Sequence, residues 1–199
     1  MYSFRNDYSE GAHPKVLQAL ADTNLRQTVG YGMDPCCQAA ADTIRRLCAA
    51  PDAAVHFLVG GTQVNLVTID AFLQSYEAVV AAQTGHVSTH ETGAIEATGH
   101  KVCTVESPDG KLTPALVESV LAGHNGTEHM VLPRMVYISD TTEIGTVYTR
   151  AELAALRQCC DVHGLFLYLD GARLGSALTS PDNDLTLPDL AALTHAFTI

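Results

Sequence analysis

The sequence predicts an α/β fold in three layers, a mainly parallel sheet with helices packed on both faces. Two observations carry this. The strand-like runs AVVAA (78–82), RMVYISD (134–140) and FLYLD (166–170) are continuously apolar rather than alternating, and helical stretches separate them. A strand that is apolar on both sides must be buried on both sides, which a parallel sheet with helical crossovers provides. A length of 199 residues with 47% apolar content is enough for one substantial core. No repeat, low-complexity tract or linker interrupts the chain, so one domain is expected rather than two.

Each element has its own local signal. Asp34-Pro35 opens a helix through CCQAAADTIRRLCAA, with Asp as N-cap and Pro at the first helical position. VHFLV (55–59) reads as a short strand, followed by GGTQ and the helical VNLVTIDAFLQ. AVVAA is the next strand. HETGAIEA (90–97) reads as a helix, with His86 just before it and His90 and Glu91 in its first turn. KVCTVE is a strand closed by the turn SPDG (107–110), and Thr113-Pro114 caps the helix ALVESVLAGH. After the strand RMVYISD, TRAE (149–152) fits a capping box that opens LAALRQCCDVHG, with Gly164 as its stop. FLYLD is a strand, LPDLAAL a helix and HAFTI (195–199) a final strand.

Composition excludes several function classes. Net charge is −11 with only 11 Lys and Arg, and there is no basic cluster, so the electrostatic term that drives nucleic-acid binding is missing. No apolar run approaches the ~18 residues a membrane span requires, and the N-terminal stretch has no apolar signal region. A cytoplasmic location is expected, with no nucleic-acid and no membrane partner. The six cysteines include the vicinal pairs Cys36-Cys37 and Cys159-Cys160 but no C-x-x-C, and free thiols packed in helices are the expectation, with no metal.

In an open parallel sheet, ligands collect at the carboxyl ends of the strands. After VHFLV, Gly60, Gly61 and Thr62 open a helix. That is either a phosphate cradle, built from close backbone N–H groups, the helix dipole and a hydroxyl, or an ordinary strand-to-helix turn. The tetrapeptide lacks the later glycine of a dinucleotide loop and the lysine of a nucleotide-triphosphate loop, which weakens those readings. After AVVAA come His86, His90 and Glu91, whose order is not that of a zinc-protease helix. They are either helix-start histidines or a flat ring facing a cofactor. After FLYLD come Asp170, Gly171, Ala172 and Arg173, a possible Asx turn with a local ion pair. Taken together, the three ends offer a phosphate site, a planar ring and a fixed anion beside a fixed cation. That set suits a planar cationic heterocycle bearing a phosphate. Pyridoxal 5'-phosphate has this shape, with a carboxylate keeping its ring nitrogen protonated.

Six stretches, FRNDYSEGAHP, GYGMD, GGTQVN, GHVSTHETGAIEATGHKV, VYISDTTEIGTVYT and LYLDGARLGSAL, occur in an order that resembles the low-specificity L-threonine aldolases. These belong to the β-eliminating lyase group of the aspartate-aminotransferase-like (fold type I) enzymes. The resemblance implies that Gly60, Gly61 and Thr62 hold the phosphate, that His86 stacks on the pyridine ring and that Asp170 pairs with the ring nitrogen. It also implies that Asn6 and Arg173 face the substrate carboxylate and that His129 matches a second histidine near the substrate hydroxyl. Family members often carry Ser at the place of Asn6. The implied reaction is cleavage of threonine or a related β-hydroxy-α-amino acid to glycine and an aldehyde. Other chemistry at the α-carbon, either elimination or transamination, is the alternative, and a non-catalytic fragment is a third reading. The implied assembly is a homodimer or homotetramer. The family's Schiff-base lysine follows a strand resembling HAFTI, and the lysines here are Lys15, Lys101 and Lys111. Residues 1–199 are therefore expected to be a partial large domain, incomplete at its C-terminus, that lacks the small C-terminal domain and is inactive alone.

Overall fold

The computed structural model describes residues 3 and 5–199, which form two compact units, residues 1–40 and 41–199. The first contains helix α1 (Pro14–Thr23), with Pro at its start, His13 capping the Lys15 N–H and no buried side chain. Helix α2 (Pro35–Leu47) follows, and the Asp34 carboxylate accepts from the N–H groups of Cys36 and Cys37, as the Asp-Pro signal predicts.

In the second unit the order is α3 (Gly61–Phe72), β1 (Glu77–Ala82), α4 (His86–Thr89), α5 (Ala94–Ala97), β2 (Lys101–Val105) and α6 (Pro114–Ala122). Then come β3 (Leu132–Ser139), α7 (Arg150–His163), β4 (Phe166–Asp170), α8 (Leu174–Leu178), α9 (Leu187–Leu193) and β5 (Ala196–Phe197). The five strands form one sheet in the order β2-β1-β3-β4-β5, parallel throughout. All six residues of β1 are buried, which is why its sequence shows no alternation. On one face, side chains of α6, α7, α8 and α9, including Val117, Leu156, Leu174 and Leu190, form a core with Val80, Val136 and Leu167. On the other face, Ile69 and Leu73 with Val87 and Ile95 pack on Val79, Met135 and Tyr168. These are the three expected layers. No helix among the described residues is long and apolar enough to cross a membrane.

The α7 capping box forms as read from TRAE. Thr149 accepts from the Glu152 N–H, Glu152 reaches back to the Thr149 N–H, and Gly164 ends the helix at φ 66°. Cys48, Cys103, Cys159 and Cys160 are buried free thiols, and burial pushes Cys160 up to about 12.

Two expectations need correction. Residues 55–59 are not a strand: Val59 is 96% exposed, and its N–H is satisfied by the Gln63 side chain at 2.9 Å rather than by a ladder. A strand needs a neighbour, and among the described residues none pairs with this run. HETGAIEA is not one helix either. His86 opens α4, His90 is its C-cap, and Thr92 (φ 57°) and Gly93 (φ 76°) turn the chain before α5. HAFTI does form a strand, shortened to Ala196 and Phe197.

One buried acid tests the interior of the sheet edge. Asp140, just past β3, is 1% exposed, and burial pushes its carboxyl from 3.8 to about 6 while it accepts from the Tyr148 N–H. The folded state therefore favours the protonated acid. Its contribution is greatest below the ordinary aspartate range and is lost as pH rises through about 6. Asp140→Asn, which keeps the acceptor, is expected to raise the urea midpoint, and by more at about pH 8 than at about pH 5. Equal gains at both pH values would show that Asp140 is not held against its charge.

Candidate active site

The register aligns Ser139 with Asp170, so β3 and β4 end side by side at the carboxyl edge. The chain moves from β1 outward to β2 and then back to β3 on β1's other side, which makes the β1/β3 boundary the topological switch point of the sheet. His86 follows β1, Glu143 follows β3 and Asp170 ends β4, so all three lie on this edge.

Asp170 serves the turn and the edge at once. Its Oδ1 accepts from the Ala172 N–H at 3.0 Å, the Asx turn expected from D-G-A-R. Its Oδ2 accepts from the Tyr137 hydroxyl at 2.6 Å and from the Asn65 amide at 2.9 Å. Every partner donates, so the fold solvates the group as an anion. Burial and the Asp170 charge hold the Tyr137 phenol well above its ordinary range, and the same causes raise Tyr168, so both remain neutral donors. Gly171 is required for packing, because a Cβ there would lie 2.0 Å from the Thr198 carbonyl oxygen.

Asn65, one turn into α3 and 2% exposed, ties the edge together. Its amide nitrogen donates to Glu91 Oε1 at 2.6 Å as well as to Asp170, and its oxygen accepts from the Tyr168 hydroxyl at 2.6 Å. Only this orientation of the carboxamide supplies donors to both carboxylates. Glu91 Oε1 also pairs with His86 Nδ1 at 2.8 Å. The Glu91 side chain is fully buried, while that of His86 is 37% exposed. A carboxylate at Nδ1 fixes the tautomer and leaves Nε2 as the acceptor. Glu143 fixes the His86 backbone: its Oε1 accepts from the His86 N–H at 2.9 Å and from the Ser139 hydroxyl at 2.6 Å. The His90 ring lies beside that of His86, 5.6 Å away and 23° from parallel. His86, Glu91, Asn65 and Asp170 thus form one continuous hydrogen-bonded chain. Glu91 Oε2 is buried with no hydrogen-bond partner among the described residues.

Residues 4–188 match the family described as beta-eliminating lyase. The chain belongs to the beta-eliminating lyase family. It is 37% identical over 176 residues to a low-specificity L-threonine aldolase of Pseudomonas sp. (strain NCIMB 10558), a match covering 87% of this chain and 50% of that one. It is 28% identical to the Saccharomyces cerevisiae low-specificity L-threonine aldolase over 87% of this chain and 44% of that one. A solved structure of Leishmania major threonine aldolase is 58% identical and superposes with a TM-score of 0.98, covering all of this chain and 58% of that chain. The chain spans about half the length of the curated relatives it matches. Thermus thermophilus aspartate aminotransferase, 18% identical with a TM-score of 0.56 over 78% of this chain and 40% of that one, shares the fold.

Within this family member, the residues singled out by sequence fall in different places. Gly60, Gly61 and Thr62 are exposed at the start of α3, with open space where a Cβ would stand on either glycine. One helical turn, about 5.4 Å, separates them from Asn65 and hence from the hydrogen-bonded chain. Arg173 is the half-buried N-cap residue of α8, beside the Asp170 turn. Asn6 belongs to the first unit, where its side-chain oxygen accepts from the Tyr8 N–H and the Ser9 hydroxyl. His129 is exposed in a turn before β3, at the amino end of an eight-residue strand. At ~3.3 Å per residue the strand sets it on the order of 25 Å from the edge that carries Asp170. Lys101 opens β2 at that same far edge, and Lys111 is paired with Glu152 at 2.6 Å.

Asn65 is the member whose loss strands the most partners. Asn65→Leu is expected to lower stability by about 3 kcal/mol, because two buried carboxylates and a phenol lose their shared partner. Tyr168→Phe in that background should cost less than in the wild type, since the phenol has already lost its Asn65 acceptor. Additive losses in urea unfolding of the four proteins would show that the two side chains are not coupled.

Proposed function

We propose that this chain carries the cofactor-binding half of a pyridoxal-phosphate-dependent lyase that cleaves threonine or a related β-hydroxy-α-amino acid to glycine and an aldehyde. The single observation behind this reading is the hydrogen-bonded chain from His86 to Asp170, which sets a flat imidazole and a buried anion on the edge where α3 begins. The threonine aldolase relatives support the same reaction class.

The residues fit the cofactor. Gly60 gives α3 no side-chain cap, and neither Gly60 nor Gly61 has an atom near its missing Cβ, so the backbone is open to a phosphate at a helix N-terminus. Thr62 adds a hydroxyl. Asp170 keeps one lone pair of Oδ1 outside its three donor contacts, the position for a ring N–H. Bound there, pyridoxal phosphate supplies an electron sink for the pair left at the α-carbon when the bond to the β-carbon breaks.

The chain's own residues do the rest. His86 presents a ring face for stacking, and Glu91 holds Nδ1 protonated so that Nε2 can take the β-hydroxyl proton. The Asp170 charge favours a protonated ring nitrogen. Arg173 binds the substrate carboxylate in two-pronged fashion, a geometry lysine would not reproduce. The enzyme works as a homo-oligomer in the cytoplasm.

The test fuses the chain to the C-terminal remainder of the Leishmania major enzyme. The fusion is expected to cleave threonine, and Asp170→Asn to keep cofactor binding while lowering kcat by roughly 10²–10³, the usual cost of losing one charge-stabilising contact. Unchanged turnover would reduce Asp170 to a turn residue. The 199-residue chain alone is expected to bind pyridoxal phosphate without a borohydride-reducible bond at Lys15, Lys101 or Lys111. Stoichiometric labelling at one of them, with glycine released from threonine, would overturn that expectation.

A further inference from the structure

A second group of ligand-type side chains lies far from Asp170, on the outer helices. Glu118 on α6 faces Cys159 and His163 on α7, and one ligand atom from each lies within 4.8 Å of the other two. Cys159 and His163 are four residues apart and so share a face of α7. The separation of His163 Nε2 from Glu118 Oε1 is 3.5 Å, and both side chains reach solvent, whereas Cys159 is 6% exposed. α7 ends at His163, three residues before β4 begins, which places the group at the amino edge of the sheet.

We propose that Glu118, Cys159 and His163 form a site for a borderline-soft divalent cation of the zinc class, with water as the fourth ligand. A thiol and an imidazole favour such an ion over magnesium or calcium, which take oxygen ligands. The cation replaces the Cys159 proton, which leaves to solvent as the sulfur–metal bond forms. His163 binds through its neutral ring and Glu118 through one carboxylate oxygen. The ion ties α6 to α7 at the edge away from the substrate, and its role is to hold the helix layer rather than to react. Glu118 lies 41 residues before Cys159, so no local spacing in the sequence announces the group.

The test titrates the reduced, metal-free chain with Co²⁺ and then competes with Zn²⁺. A thiolate-to-cobalt charge-transfer band at one equivalent, its loss on adding Zn²⁺, and release of one proton per metal are expected. Cys159→Ser should abolish the band. His163→Ala and Glu118→Gln, both at exposed positions, should weaken binding on the order of tenfold or more and remove the rise in Tm that Zn²⁺ gives the wild type. Cys36→Ser controls for the exposed vicinal pair. A band that survives Cys159→Ser, or affinity unchanged in both surface variants, would overturn the site.

Discussion

One buried carboxamide holds two buried carboxylates in place, and the carboxyl edge of the sheet depends on it. Glu91 and Asp170 each accept from the Asn65 amide nitrogen, and Tyr168 donates to its oxygen. Carboxylates taken out of water are costly unless donors replace the water they lose, and here the donors come from α3, α4, β3 and the turn after β4 at once. A change in the position of α3 therefore moves both acids, and through Glu91 it moves the His86 ring. The glycine start of α3, the flat imidazole and the anion are set by the same few bonds rather than by three independent loops.

The parallel sheet divides the unit by task. Helices must return to the amino edge before each new strand begins, so strand-to-helix turns gather at one end and helix-to-strand turns at the other. The first end holds Asp170, His86, Glu143 and the start of α3. The second holds the close of α7, the turn with His129, and the Glu118–Cys159–His163 group. Asn65, Glu91 and Asp170 at the first end are buried and cross-linked through side chains, whereas the polar residues at the second border a core of Leu, Val and Cys on α6 and α7.

The central strands were legible because burial on both faces leaves a continuous apolar run, and the caps at Asp34, Thr113 and Thr149 were legible because each acts within three residues. VHFLV carries the same composition but finds no neighbour to pair with, which no local pattern can reveal. HETGAIEA has helical residues, yet Thr92 and Gly93 turn left-handed in its middle. In the site, Asp170 and His86 stood out as polar residues at the ends of apolar runs. Asn65, Tyr137, Tyr168 and Glu143 did not, since each looks ordinary in its own segment. Their partners lie far along the chain, 105 residues for Asn65 with Asp170 and 57 for His86 with Glu143. His129, just before β3, lies at the opposite edge.

The contact at Gly171 sets an order in time on the growing polypeptide. The Gly171 N–H is satisfied by the hydroxyl of Thr198, 27 residues later, whose carbonyl occupies the space a side chain would need. The Gly171 N–H cannot find this partner until that stretch has left the ribosome, a lag of about 1–5 s at synthesis rates of ~5–20 residues per second. During that interval β1 to β4 can already pair while the anion at the end of β4 is still solvated by water. The carboxyl-edge turn beside Asp170 is thus completed only after β5 has been made.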